Sequence, residues 1–328
     1  MGSSRPRVSV VCPAFEEEAC LPHFHAALAA VLDSLAHAYD AEIIYVDDGS
    51  RDRTLDVVKS LARQDSRVRF LSFSRNFGQQ AALSAGLEVA GGDAIITMDS
   101  DLQHPPELIP QLLEQWRDGH DVVLTIRADD KRLGLGKRLT SKLFYSVMRR
   151  LSETDVRPAR SDYRLLSRKV AGVLARMNER QRFLRGLVQW LGFSVAEVPF
   201  HPNSRKAGAS KYSFRSLLRL AGDGIFSFSA IPLRLPYYLG AACFGVGLLA
   251  TVMVLARCLW SGDWTIGIGW AVLVAMHLIG GCLLVALGVL GEYVGRIYEQ
   301  VKQRPLYVLK DQSPEFALPA RIEQRNAA

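Results

Sequence analysis

The sequence predicts an α/β protein, a mostly parallel sheet flanked by helices, continued by amphipathic interfacial helices and a two-helix transmembrane hairpin. Three features predict this. Short apolar runs alternate with segments of helical period from Val8 to Asp118, the pattern of repeated βαβ units. Acidic clusters stand where apolar runs end. Leu235 to Trp260 and Ile266 to Val294 are long apolar stretches, each above the roughly 20 residues that cross a hydrocarbon core.

The first run, Val8 to Cys12, is too short for a signal-peptide core and meets Pro13 and three glutamates at once, so it reads as a strand. Further strands are expected at Glu42 to Val46, Val68 to Phe73, Ala94 to Met98 and Asp121 to Thr125. Helix-period apolar positions fill Glu17 to Tyr39, Thr54 to Gln64, Gln79 to Ala90 and Pro106 to Asp118. Ligands of such sheets sit outside the carboxyl ends of the strands. Glu16-Glu17-Glu18, Asp47-Asp48-Gly49-Ser50 and Asp99-Ser100-Asp101 all fall there.

From Gly134 to Gly192 the pattern reads as mainly helical and basic, and Ser194 to Phe200 as a short strand before the polar loop His201 to Ser210. Tyr212 to Leu235 mixes Phe, Leu and Ile with Arg215, Arg219 and Arg234, which suits helices lying on a membrane surface. The expected divisions are a catalytic domain over 1–210, juxtamembrane helices over 211–234, two spans over 235–294 and a polar, poorly ordered tail over 295–328. Arg234 precedes the first span, Arg296, Lys302 and Arg304 follow the second, and the connector Ser261 to Thr265 has no Lys or Arg. Positive residues stay inside, which places the catalytic domain and both termini on the cytoplasmic side of the inner membrane. Arg257 can snorkel to the interface that Trp260, Trp264 and Trp270 mark.

The 328 residues leave room for one catalytic domain of roughly 200 residues and an appended part. The net charge of +7, from 40 Lys and Arg against 33 Asp and Glu, points to an anionic partner without choosing among nucleic acid, lipid headgroups and phosphorylated substrates. Five cysteines without a CxxC pair indicate neither zinc nor a disulfide framework. The glycines of the apolar stretches, among them Gly280, Gly281 and Gly288, suit close helix packing and are compatible with a homo-oligomer.

The strongest chemical signal is Ile95 to Gln103, where an apolar strand ends in Asp99 and Asp101. An extended chain points residues two apart to one side, so both carboxylates would face a hard divalent cation, Mg²⁺ or Mn²⁺, with diphosphate oxygens at its other positions. Such a cation stabilises a leaving nucleoside diphosphate without a protein acid. Gln103 adds a neutral oxygen. Asp47 ends its own strand and suits the base or ribose of a nucleotide, while Asp48 suits either that site or the cap of the helix beginning near Asp52.

These pieces resemble glycosyltransferase family 2, and within it the polyprenyl-phosphate glycosyltransferases that include dolichol-phosphate mannose synthase and bacterial undecaprenyl-phosphate sugar transferases. The similarity spans about residues 7 to 310. It is carried by Pro13 to Glu18, Val46 to Ser50, Ser74 to Gly78, Met98 to Gln103, Ser161 to Arg168, Phe183 to Gly186 and Arg205 to Tyr212. The family usually reads Tyr-Asn-Glu where this chain has Phe15-Glu16-Glu17. The resemblance implies a GT-A fold, Rossmann-like with a mostly parallel sheet, and inversion at the anomeric carbon. It implies nucleotide-sugar contacts from Pro13, Phe15, Glu17, Asp47, Asp99 and Ser100, and a metal held by Asp101 and Gln103 with Asp99. Asp99, Asp101 and Asp162 are the implied catalytic carboxylates, Asp162 as a base or orienting group or, equally, as an ion-pair partner of Arg164 or Arg168.

Arg127, Arg138, Arg164, Arg205 and Lys211 are the basic residues expected at phosphate, since arginine forks and lysine charges bind phosphates well. The partners so implied are a nucleotide diphosphate-sugar, preferably a UDP-sugar such as UDP-glucose, a polyprenyl phosphate and the membrane, with no nucleic acid. A polyprenyl phosphate has a second pKa near 6 and is already largely ionised at neutral pH. Two rival readings are a processive polysaccharide synthase and a non-catalytic membrane scaffold or transporter subunit. The first calls for more spans and a Gln-x-x-Arg-Trp element, where Gly186 follows Arg185. The second sits poorly with an intact Asp99, Asp101 and Gln103.

Overall fold

The computed structural model describes residues 5–127, 160–177, 179, 182–201, 231–262 and 267–316. The chain divides into two compact units. The first holds the sheet, and residues from Arg304 onward belong to it again.

The sheet is built as the apolar runs require. β1 (Arg7–Ala14), β2 (Asp40–Asp47), β3 (Val68–Phe73) and β4 (Ala94–Thr97) are parallel to their neighbours in the order β4-β1-β2-β3, joined by α1 (Leu21–Leu35), α2 (Thr54–Gln64) and α3 (Gln79–Val89). Val8, Val10, Val11 and Cys12 are all buried, as expected of a strand covered on both faces. α3 is almost wholly buried, and its small residues let it press on the sheet: a Cβ on Gly86 would stand 2.2 Å from Val11 Cγ1. After β4 a short turn of 3₁₀ helix (Pro106–Leu108) leads into α4 (Ile109–Arg117) and β5 (Val122–Arg127).

Two parts depart from the sequence reading. Within the stretch expected to be mainly helical, Arg160–Ser167 is a strand, β6, lying antiparallel between β4 and β5. Its Asp162 and Arg164 interrupt the apolar run that marks a buried strand, yet both are buried because they neutralise each other. Among the described residues of that stretch the helices are α5 (Arg168–Arg176) and α6 (Leu184–Trp190), and β7 (Val195–Phe200) pairs with β5 in parallel.

The tail also departs. Leu309–Gln312 forms β8, antiparallel to the edge of β3, so the described sheet runs β7-β5-β6-β4-β1-β2-β3-β8. Ser313 N–H donates to Phe70 O at 2.9 Å, Phe70 N–H donates to Ser313 Oγ at 2.8 Å, and the Tyr307 ring stacks on Phe73 at 4.8 Å. A polar strand suits this place because an edge needs pairing groups more than apolar ones.

The second unit holds two long helices, α7 (Ile231–Ser261) and α8 (Gly267–Val301). Among the described residues one helical segment, Leu278–Val301, has the length and hydropathy to cross a membrane; Tyr238–Ala250 is a shorter apolar helical stretch. The expected interfacial helices over 211–234 lie outside the described residues but for the first turn of α7. Cys243 of α7 and Cys282 of α8 approach to 3.1 Å between sulfurs. Treating membranes with copper phenanthroline, which takes two electrons and two protons from the thiols, is therefore expected to give one Cys243–Cys282 linked peptide pair by mass spectrometry. Its absence, with both thiols still alkylatable, would refute the antiparallel pairing of these helices.

Candidate active site

β1, β2 and β4 run the same way, so Ala14, Asp47 and Thr97 bring three loops to one edge of the sheet. The loop after β1 is latched to the loop after β2. Glu16 N–H donates to Ser50 Oγ at 3.0 Å, Glu17 N–H to Thr54 Oγ1 at 2.9 Å, and Arg53 N–H to Glu18 Oε2 at 2.8 Å. Glu16 has φ of 55°, a left-handed conformation that asparagine adopts more readily, which gives the family's usual Asn here a backbone reason. Phe15 and Glu17 are half-buried, and Pro13 lies within β1.

Asp47 is buried at the end of β2. Its Oδ1 accepts from Ser50 N–H at 3.0 Å and its Oδ2 from Ser72 Oγ at 2.8 Å. Asp48 does not cap the following helix. Asp52, just before that helix, accepts from Thr54 N–H at 3.0 Å, while Asp48 accepts from Phe77 N–H at 2.7 Å and Gly78 N–H at 2.9 Å. Burial raises the Asp48 pKa although both N–H groups oppose the shift. Asp48 thereby ties the end of β2 to the segment that opens α3.

β4 ends at Thr97, and the acidic pair falls in the turn beyond it, where Leu102 has φ of 63°. The extended geometry expected of Asp99 to Asp101 is thus replaced by a turn. Gln103 N–H donates to Asp101 Oδ1 at 3.1 Å, a local turn that competes with strand continuation. Ser100 Oγ donates to Pro13 O at 2.9 Å, and Gln79, the first residue of α3, donates its amide to Asp99 Oδ1 at 2.6 Å. The Asp99 side chain keeps 31% exposure. Desolvation there, and then the negative charges of Asp162 and Asp101, push its pKa up to about 7, against the pull of Arg185 and the Gln79 amide.

His104 anchors this turn. Its Nδ1 accepts from Asp99 N–H at 2.9 Å, which leaves Nε2 to carry the proton toward Ser161 Oγ at 2.7 Å. The ring stacks on Tyr163 at 5.1 Å and meets Phe200 edge-on. Burial, foremost, lowers its pKa to about 4, so at neutral pH it is an uncharged strut. From sequence His104 reads only as part of a turn, because a histidine beside two prolines carries no sign of the strands that enclose it.

Asp162 sits on β6 beside β4, its carbonyl accepting from Thr97 Oγ1 at 2.6 Å. Its carboxylate is buried and held by Arg185 Nε at 3.0 Å and Nη2 at 2.7 Å, and by Arg164. Burial raises its proton affinity, but the guanidiniums of Arg185 and Arg164 outweigh that and hold it well below the usual carboxylate range. A carboxylate so held is a poor proton acceptor at neutral pH. Of the two readings, the ion pair with Arg164 is present, and Arg185 is a second partner.

Arg164 itself corrects an expectation. The expectation sets it at a substrate phosphate, whereas only 3% of its side chain is exposed. It lies among Leu83, Leu87, Leu166, Leu174, Leu184 and Val188, where its partner is Asp162. Arg127 is exposed at the end of β5. Arg138, Arg205 and Lys211 lie outside the described residues. The structure therefore brings Asp99, Asp101 and Asp162 into mutual electrostatic range, and adds Gln79, His104 and Arg185, which sequence reasoning did not single out. Arg185 carried a signal in the matched Phe183 to Gly186 segment; Gln79 and His104 acquire their role only from the fold.

Among the described residues no three His, Cys, Asp or Glu side chains converge as a ready-made metal cage. Asp99 lies within electrostatic range of the Asp101 and Asp162 carboxylates, a concentration of negative charge that a cation would offset.

Residues 9–174 match the family model described as glycosyl transferase family 2. The chain is 39% identical over 303 residues to a Bacillus subtilis protein named uncharacterized glycosyltransferase YkcC, covering 92% of this chain and 93% of that one. It is 38% identical over 304 residues to the SfII prophage-derived bactoprenol glucosyl transferase of Shigella flexneri, covering 93% and 97%. Among solved structures it is similar to the mannosyltransferase PcManGT of Pyrobaculum calidifontis in complex with GDP-Man and Mn²⁺, at 16% identity and a TM-score of 0.46 over 87% of this chain and 88% of that one. The family match over residues 9–174 and the near full-length identity to the Bacillus and Shigella proteins agree with the ordered motifs: the chain belongs to glycosyl transferase family 2, in its polyprenyl-phosphate glycosyltransferase group.

Proposed function

We propose that this protein transfers a sugar, with inversion, from a nucleotide diphosphate-sugar to undecaprenyl or another polyprenyl phosphate at the cytoplasmic face of the inner membrane. The observation that carries this reading is the 38% identity, over 93% of the chain, to a bactoprenol glucosyl transferase. A UDP-sugar such as UDP-glucose is the preferred donor. The Shigella protein's name supports a glucosyl group.

Pro13, Phe15, Glu17, Asp47, Asp99 and Ser100 are assigned to the nucleotide-sugar, and Asp101, Gln103 and Asp99 would hold Mg²⁺ or Mn²⁺. When bound, that ion supplies positive charge to the departing diphosphate. A phosphate oxygen of the lipid forms the new bond to the anomeric carbon, the bond from that carbon to the nucleoside diphosphate breaks, and the electron pair leaves with the diphosphate. Because the nucleophile is already ionised, the protein needs to hold it in line more than to deprotonate it. Arg127, with Arg138, Arg205 and Lys211, is assigned to the phosphates. Asp162, an anion among guanidiniums, is assigned to orientation. Two spans with both termini cytoplasmic are assigned to anchor the protein in the membrane that carries its lipid acceptor, and a homo-oligomer is the proposed assembly.

The test is an incubation of purified protein with a panel of nucleotide-sugars, undecaprenyl phosphate and MnCl₂ or EDTA. Nucleoside diphosphate release and the lipid-linked sugar are followed by mass spectrometry. Metal-dependent release only with lipid present is expected. Release that ignores the lipid, or none with any donor, overturns the proposal.

A further inference from the structure

Asp162, Arg164 and Arg185 form a charge cluster of unequal parts. Arg164 and Asp162 are 3% and 4% exposed and already compose a neutral buried pair, whereas Arg185 is 35% exposed. A neutral pair needs no second guanidinium for burial, and partly desolvating one costs free energy. Arg185 nonetheless grips both carboxylate oxygens, Nε to Oδ1 and Nη2 to Oδ2. A two-pronged grip fixes the plane of a carboxylate as well as its charge.

The helix that carries Arg185 is registered against the donor side of the site. Leu184 N–H donates to Gln80 Oε1 at 3.2 Å, and the adjacent Gln79 donates to Asp99. Asp162 in turn is pinned to β4 through Thr97 Oγ1. Arg185 thus stands where α6, α3 and β6 meet beside the acidic turn, and its charge acts on Asp99 as well as on Asp162.

We infer that Arg185 is a positioning residue of the transfer reaction, acting through Asp162 by holding that carboxylate in one orientation beside the Asp99 to Asp101 turn. This rests on the sugar-transfer reading above. Arg164 supplies the counter-charge that lets Asp162 be buried, and Arg185 supplies its aim.

A double-mutant cycle tests this on full-length protein in lipid nanodiscs, with Arg185→Gln, Arg185→Lys, Asp162→Asn and the combined variants. Misplacement of a reacting group by an ångström costs up to about 100-fold, so Arg185→Gln should lower kcat by roughly 30- to 100-fold with donor KM within about 3-fold. Arg185→Lys keeps the charge and loses the fork, and should lose about 10-fold. In the Asp162→Asn background either change should alter kcat by less than about 3-fold, because residues acting as one unit are non-additive. A purely structural role would instead lower the thermal midpoint and multiply with the Asp162→Asn loss. Should Arg185→Gln not fold, the Arg185→Lys cycle carries the test. Wild-type kcat in Arg185→Lys, or losses that multiply, overturns the inference. Absence of transfer by the wild-type protein overturns the sugar-transfer reading and this inference with it.

Discussion

Asp101→Asn is expected to reduce sugar transfer by roughly 10²- to 10³-fold while leaving the protein folded, the scale seen when preorganised charge stabilisation is removed from a transfer reaction. The substitution is unusually clean. Asp101 Oδ1 accepts from Gln103 N–H at 3.1 Å, and an asparagine oxygen can accept the same bond, so the turn through left-handed Leu102 survives. What disappears is one negative charge from a cluster that also holds Asp99 and Asp162. The thermal midpoint should therefore shift by no more than about 5 °C, since Asp101 is half-buried and the substitution keeps its shape and its oxygen acceptor. Product formation at saturating donor and lipid, with a Mn²⁺ titration, checks it. Wild-type turnover in this variant would remove the assignment of metal to Asp101.

Gly49→Ala is expected to act in the opposite way, through the fold. Gly49 has φ of +68°, and a Cβ there would stand 2.3 Å from the carbonyl carbon of Arg75 and 2.6 Å from its Cα. The left-handed backbone costs about 1–2 kcal/mol for an L-residue, and forcing an atom into packed surroundings adds about 1–3 kcal/mol. The obstacle is backbone, so rotamer changes cannot relieve it. For a domain of this size the thermal midpoint should fall by roughly 5–15 °C. Arg75 leads directly to Phe77 and Gly78, whose N–H groups bind Asp48, and to Gln79, whose amide binds Asp99. Donor KM should rise along with the loss of stability. An unchanged midpoint and KM would show that the 74–78 segment yields without cost, and the proposed coupling of the two loops would be wrong.

The parallel half of the sheet was legible because its strands are covered on both faces. Val8 to Cys12, Ile43 to Val46 and Ala94 to Thr97 are uninterrupted or nearly uninterrupted apolar runs, and their burial matches that pattern. α2 and β3 were placed to the residue, and α1 was drawn too long, since its expected span took in the Glu17 to Cys20 turn and the residues after Leu35. β6 was missed for a reason that concerns chemistry. A strand bearing Asp162 and Arg164 looks exposed or helical until Arg185, 23 and 21 residues away, is known to stand beside them. β8 was missed because edge pairing uses backbone groups, and these leave no trace in hydropathy.

The candidate site divides along the same line. Local order along the chain determined that acidic clusters close the strands, that Asp99 and Asp101 follow the end of an apolar strand, and that the chain carries two long apolar stretches. Those are properties of neighbours in sequence, set by period and composition. The tertiary structure decided which charges are available. It buried Arg164 against Asp162, left Arg185 at the rim, turned Asp48 toward Phe77 and Gly78, and made His104 a neutral strut beneath Asp99. Desolvation and long-range pairing depend on what surrounds a group from every side, and that surrounding exists only once distant strands have met.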